Sequence, residues 1–483
     1  MTLNLKIILA FCAGYFLLIL LIILWARYKK TGRITSGLDE FFLAGRNISS
    51  FVLMATMVGS VLSAFFAIGI PGFLYANGLG GGGFIILGDM VGIYFILTFY
   101  KKLRAYAVQT NSFSPIECLT KSYNSKALGV LCCILMLFFI APFLSLQLVG
   151  IGKFIEGFTG GDIGYVNGVG VMMSVVALYL IFGGMRAVAY TDVIQALAIF
   201  IGVFGGMFFF LHANWGSIGG VFEQAMIQAP SHMSLPGPNG TYSGAFFFSV
   251  SVLTVGLFFM PQLLTRGLMA RDDKQIDFMC IGFLVAVLVG YIPIFVFGIG
   301  GFLLYGSEGV ESNQVMGFVF QDLASVSLIG AIFASIALIG LIGAAMSTAD
   351  SILLSIGQIF TRDIVRPFIE ISHGLQILLA RTIMVVVLSG AFVIGLNPPQ
   401  LIGELGVYAA SATCILLPTY VGFLWHRRNA FGAMISICIG TASLIGLALT
   451  NTRIFGLHEG FISLVITTCI YVVMCYIFSS KNK

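Results

Sequence analysis

Charge is what this chain has least of: Asp, Glu, Lys and Arg make up only 9% of its 483 residues, against about a quarter in ordinary soluble domains. A soluble fold so poor in charge would expose large apolar patches, which excludes water as its main solvent and leaves the bilayer. Histidine is scarce, with five residues and no second ligand at helical spacing from any of them. The nine cysteines, including the adjacent Cys132 and Cys133, form no CxxC or Cys/His array. They read as small helix-packing residues rather than disulfides or metal ligands. No Walker-type phosphate loop occurs, and Gly80–Gly83 reads as a flexible turn beside a helix start. Residues arranged for catalysis are missing, so an enzyme is not expected. The alternating pattern of an outer-membrane β-barrel is missing too. The net charge of +5 is not gathered on a soluble module, which removes nucleic acid as a partner.

What is there is apolar and small: 59% hydrophobic residues, 59 Gly and 45 Phe, with a mean hydropathy of +1.05. That composition suits closely packed helices facing lipid. Apolar runs bounded by charges or turn residues give about 13 spans. They lie near 7–26, 50–76, 81–100, 127–150, 162–183, 191–212, 243–265, 276–304, 328–358, 377–396, 400–424, 430–450 and 457–478. The first is read as a retained helix and not a signal peptide, because its positive run, Arg27, Lys29, Lys30 and Arg33, follows the apolar core. With the N-terminus outside, the loops 27–49, 101–126, 184–190, 266–275, 359–376 and 425–429 and the C-terminal tail are cytoplasmic. Those segments and their borders then hold 21 of the 24 Lys and Arg, the asymmetry expected of a multi-pass inner-membrane protein with its C-terminus inside. The loops 213–242 and 305–327 fall outside and are rich in Gly, Pro, Asn and Ser. Without an ATP site, uphill transport has to draw on an ion gradient.

Secondary transporters bind ions and solutes at discontinuous helices near the membrane midplane, where freed carbonyls replace a cation's water shell. The second span reads Val58-Gly59-Ser60-Val61-Leu62-Ser63-Ala64 and then Gly69-Ile70-Pro71-Gly72. The seventh reads Val255-Gly256-Leu257-Phe258-Phe259-Met260-Pro261-Gln262. The two are five spans apart, the offset of an inverted repeat of five helices. The plainer alternative is a Gly or Pro kink between packed helices. In the ninth span Ser347, Asp350, Ser351 and Ser355 share one helical face, with Thr348 flanking it. An acid inside a span is costly and points to an ion site or a watery path, the alternative being that Asp350 is simply solvated near the inner helix end. No Arg stands at mid-membrane on this reading to clamp a carboxylate, so helix N-termini at the breaks would have to do so.

These residues resemble those of the sodium/solute symporter family. The run Gly183-Gly184-Met185-Arg186-Ala187-Val188-Ala189-Tyr190-Thr191-Asp192-Val193-Ile194-Gln195 is similar to its signature. Ala344 through Ser355 is similar to a second hallmark, and Gly69-Ile70-Pro71-Gly72 to a third. The resemblance implies an all-α leucine-transporter-type fold, a 5+5 inverted repeat over spans 2–11 with one helix before it and two after. The corresponding units are 1–49, 50–212, 213–424 and 425–483. It also implies a sodium site made of the carbonyls of Gly59, Leu62 and Ala344 and the hydroxyls of Ser347 and Thr348. Asp192 and Asp350 would lie on the ion route or at a second ion, although Asp192 could instead be an interfacial acid paired with Arg186. Ser60, Ser63, Pro261 and Gln262 would face the solute. Proline-type members carry an acid beside the first break, where this chain has Val61, which leaves the solute open among amino acids, vitamin carboxylates and monocarboxylates. The expected function is symport of sodium with a small polar solute by alternating access, performed by a monomer in the lipid bilayer. A proton-coupled symporter using Asp192 or Asp350, and a transporter-like membrane sensor, are the alternatives.

Overall fold

The computed structural model describes residues 3–28, 37–182, 184–398 and 403–478. Gly183 of the signature run, Lys29, Lys30 and Arg33 of the early positive run, and Lys481 and Lys483 of the tail lie outside them. Among the described residues there is no strand. The helices are α1 (Leu3–Tyr28), α2 (Gly37–Leu43), α3 (Ser50–Val61), α4 (Ile70–Asn77), α5 (Leu79–Phe95), α6 (Lys101–Gln109), α7 (Pro115–Ser122), α8 (Lys126–Phe158), α9 (Tyr165–Phe182) and α10 (Met185–Asn214). They continue with α11 (Ile218–Gln228), α12 (Gly244–Leu253), α13 (Pro261–Met269), α14 (Asp273–Tyr305), α15 (Val315–Val326), α16 (Leu328–Ile359), α17 (His373–Gly395), α18 (Gly403–Gly422), α19 (Ala430–Leu449) and α20 (Glu459–Phe478).

Nine helices among the described residues are long and apolar enough to cross a membrane, and two bent pairs bring the number to 11. Two shorter apolar stretches, Ala10–Trp25 and Tyr165–Ala177, stand where the sequence places its first and fifth spans. The bent pairs are the second and seventh spans: α3 meets its continuation through α4 at 48°, and the helix from Gly244 to Phe259 meets α13 at 49°. Helix starts follow ordinary capping chemistry. Ser125 caps α8, Ser327 caps α16 and Asn429 caps α19, each side-chain oxygen accepting from a backbone N–H three residues on.

The centre of the molecule is the contact of α10 with α16. A Cβ on Gly202 would fall 2.3 Å from the Ala337 nitrogen, and one on Gly340 would fall 2.5 Å from the Ile199 Cα. Only glycine lets two backbones approach so closely, the usual device for tight helix contact in lipid, where no hydrophobic effect drives association. This contact fixes Asp192 of α10 against the hydroxyl face of α16. Large apolar side chains such as Phe138, Phe208, Ile281 and Val393 are exposed on the outside, as a lipid-facing surface requires.

Several sequence expectations are corrected. The third span does not end near 100; it continues through a π-turn at Ile96–Tyr100 to Gln109. The segments between spans contain further helices: α2 in 27–49, α7 in 101–126, α11 in 213–242 and α15 in 305–327. Each of the last two buries one apolar face, Val221 and Ala225 in α11 and Val319, Phe320 and Leu323 in α15, a periodicity masked by flanking Gly, Pro and Ser.

Candidate functional site at the two helix breaks

The first break is at Leu62–Ala64. Leu62 leaves the helical region (φ −71°, ψ 62°). Ser63 N–H, which in a continuous helix would close on the Gly59 carbonyl, donates instead to Val61 O at 2.7 Å. Ala64 N–H, which would close on Ser60, donates to the side-chain Oε1 of Gln147 at 3.0 Å. The carbonyls of Gly59 and Ser60 thus lose their usual helical donors. The Gly69–Gly72 segment is not a break: Gly69 and Ile70 keep helical φ/ψ, and Pro71 follows directly on the π-turn Phe65–Gly69 inside one continuous helical segment. The second break is a 3-10 stretch, Thr254–Phe259, followed by extended Met260 and then Pro261 at the start of α13.

Facing the first break is α16. A Cβ on Gly59 would fall 2.9 Å from Ser347 Oγ and 3.5 Å from Asp192 Cβ, so α3, α10 and α16 converge on one point. Thr348 Oγ1 donates to the freed Ser60 carbonyl at 3.4 Å. Ala344 lies one turn earlier on α16, and Leu62 is the residue at which α3 stops. All of these residues are buried. Ser347 Oγ, Asp192 Oδ1 and Asp350 Oδ1 are buried without a hydrogen-bond partner. Buried oxygens are ordinarily satisfied, so Ser347 Oγ and Asp192 Oδ1, which meet beside Gly59, are free to accept a further partner. Asp350 is 2% exposed, so it is not solvated at the helix end; α16 runs on for another nine residues after it, to Ile359.

The ion pairs differ from expectation. Arg186 pairs with Glu40 and donates to Ala44 O, not with Asp192. Asp192 accepts from Thr56 Oγ1 and lies 3.5 Å from Nη2 of Arg266. Arg266 itself was read as a cytoplasmic loop residue, and no mid-membrane Arg was expected. The structure corrects the first point: Arg266 belongs to α13, is 0% exposed and donates to Ser60 Oγ at 3.0 Å beside the first break and to Ser351 Oγ. Hydropathy placed the end of the seventh span at 265 because a guanidinium is the most polar group available, and only tertiary contacts show that it turns inward.

Between the two breaks is a small cavity of ≈ 20 Å³, lined among others by Ser60, Ser63, Phe66, Asp89, Met260 and Gln262. Three of the four residues expected to face the solute therefore meet. Pro261 lines a separate small cavity with Phe139 and Leu416. Asp89 was missed. It lies in α5, is 2% exposed and accepts a hydrogen bond from the Tyr291 hydroxyl. The signal was available, since a lone acid inside an apolar span is the same evidence that drew attention to Asp350. Gln147, a lone amide in a 33-residue apolar helix, was missed for the same reason.

The family model for the sodium:solute symporters matches residues 41–440, which contain both breaks, Asp192 and the hydroxyl face of α16. The chain belongs to the sodium:solute symporter family. It is a secondary transporter that couples a solute to sodium. This symporter is 26% identical to an osmoregulated proline transporter of Bacillus subtilis, over 93% of this chain and 91% of that one. It is 26% identical to a sodium/pantothenate symporter of Escherichia coli, over 92% and 91%. Its structure superposes on a substrate-bound, outward-open Na⁺-coupled sialic acid symporter with a TM-score of 0.78, covering 99% of this chain and 98% of that one at 17% identity. The symporter thus has the leucine-transporter-type inverted repeat expected from the sequence, in a multi-pass membrane protein.

Proposed function

We propose that this symporter carries sodium into the cell together with a small amino acid, binding both at the breaks in α3 and in the α12–α13 span. The observation that carries this reading is the unpartnered Ser347 Oγ beside the break in α3. Sodium is held by the carbonyls of Gly59, Leu62 and Ala344 and the hydroxyls of Ser347 and Thr348, a neutral all-oxygen cage. It ties α3 to α16, and thereby shapes the adjoining solute cavity. Asp192 and Asp350 line the inward ion route, where their unfilled oxygens accept the departing ion.

The solute class follows from charge. The one charged side chain lining the central cavity is the acid Asp89, which suits an ammonium, while the N-terminus of α13 at Gln262 supports a carboxylate through its helix dipole. Ser60, Ser63 and Gln262 supply hydrogen bonds, and the Gln262 Oε1 has no partner of its own. At ≈ 20 Å³ the cavity holds little more than a water, so the solute enters through rearrangement of the breaks, which is alternating access. Both repeats contribute to one site within a single chain, so the monomer suffices. In the plasma membrane the N-terminus lies outside and the C-terminus in the cytoplasm, an orientation that the lopsided Lys and Arg support.

The test is uptake by proteoliposomes of labelled proline, other amino acids, pantothenate and monocarboxylates, with and without an inward sodium gradient at fixed pH. Sodium-stimulated accumulation of an amino acid is expected, and Ser347→Ala with Thr348→Ala should raise the half-saturating sodium concentration. Uptake that follows a pH gradient at fixed sodium would move the coupling to protons carried by Asp192 or Asp350.

A further inference from the structure

Arg266 sits in a nine-residue helix, α13, with extended residues at both ends: Met260 (φ −64°, ψ 142°) and Ala270 (φ −65°, ψ 134°). Such ends make α13 a short rigid segment between two swivels. Its guanidinium is fully buried and keeps its proton under all ordinary conditions. Five N–H donors there find few good acceptors. Nη2 reaches Ser60 Oγ and Ser351 Oγ. Nη1 has only the thioethers of Met185 at 2.7 Å and Met269 at 3.6 Å, and thioethers accept weakly. Nε has no partner. The compensating charge is Asp192, 3.5 Å away. One poorly solvated cation therefore fastens α13 to α3, α10 and α16, and it is fastened through the acid that lies on the ion route.

We propose that Arg266 is a displaceable counter-ion for Asp192: it stands in for the transported sodium while α13 is closed, and a sodium ion moving from its site toward Asp192 evicts it and frees α13 to swing. The inference rests on the sodium reading given above. Asp192 cannot compensate two cations at once in a low-dielectric interior, and the ion pair of Arg266 is with Asp192, not with Asp350. When sodium takes Asp192, the buried guanidinium is left without charge compensation and has to move, carrying the hinged helix with it. The coupling is reciprocal: the latch weakens sodium at Asp192 as much as sodium weakens the latch. Departure of the ion to the cytoplasm lets Arg266 return and close the route, so that sodium does not flow without solute.

The experiment measures radioactive sodium binding to purified protein in detergent and sodium efflux from proteoliposomes, neither of which needs the solute to be known. Arg266→Gln should lower the half-saturating sodium concentration by about tenfold and allow sodium efflux in the absence of solute. A purely structural role for Arg266 would lower stability without tightening sodium binding. The paired variant Asp192→Asn with Arg266→Gln leaves no uncompensated buried charge; it should bind sodium and leak it without solute. Wild-type half-saturation and no leak in either variant would overturn the proposal. The sodium site is judged separately: if Ser347→Ala with Thr348→Ala leaves sodium binding unchanged, that reading fails whatever Arg266 does.

Discussion

Asp89 and Arg266 carry opposite charges, and both are buried at the centre of a chain that has few charges to spend. Burial of each is tolerated because a partner waits for it: the Tyr291 hydroxyl for Asp89, and Asp192, Ser60 and Ser351 for Arg266. Asp89→Asn keeps an acceptor for Tyr291 and removes the charge. If the solute carries an ammonium at that place, its affinity should fall by about 10- to 100-fold, the worth of a charge-assisted hydrogen bond. Sodium binding measured without solute should stay as it was. Equal solute affinity in the variant would exclude Asp89 as the ammonium partner. Of the residues expected at the site from sequence, Gly59, Ser347 and Asp192 meet at one point, and Ser60, Ser63 and Gln262 share one cavity. Asp89 was legible and passed over. Arg266 was not legible, since a cation at a span end is usually solvated.

At the scale of helices, the second span holds two glycine-bearing segments, Val58–Ala64 and Gly69–Gly72, and the chain unwinds at the first. The choice is made by partners from elsewhere: Gln147 of α8 receives the loose Ala64 N–H, and Thr348 of α16 donates to the loose Ser60 carbonyl. Gly–Ile–Pro–Gly stays helical because the π-turn Phe65–Gly69 just before it alters the hydrogen-bond register in which Pro71 lacks a donor. Gly59 is glycine for a steric reason. Gly59→Ala would put a methyl 2.9 Å from Ser347 Oγ, inside the proposed cage. It should raise the half-saturating sodium concentration in uptake while the protein still inserts and folds. In the second break, Gly256→Ala would bring a Cβ to 2.2 Å from the Ala410 carbonyl. No flexible side chain can yield there, so the 3-10 segment has to shift away from α18. Transport should be lost, with the change visible as a lowered thermal unfolding midpoint.

For the whole molecule, sodium is expected to act as a tie between the two repeats, because the ligands proposed for it come from α3 in one and α16 in the other. A ligand that binds only the native state stabilises it by about 2.7 kcal/mol at 100 times its dissociation constant. Thermal unfolding in detergent should therefore rise with sodium and not with choline at equal ionic strength. The variant lacking both the Ser347 and Thr348 hydroxyls should lose that protection. Protection that persists in the variant would place the stabilising ion elsewhere.

The amino-acid sequence alone determined the solvent, the helical class and the approximate spans, because hydropathy is a local property that the bilayer reads directly. It also determined the hydroxyl face of α16, since helical spacing fixes which side chains share a face. Only the tertiary structure decided which partners take up the groups freed at the first break, that Asp192 answers Arg266 rather than Arg186, and that Asp89 faces the central cavity. Those facts depend on helices distant in sequence meeting at one point, and a buried charge is placed by the partner it finds there.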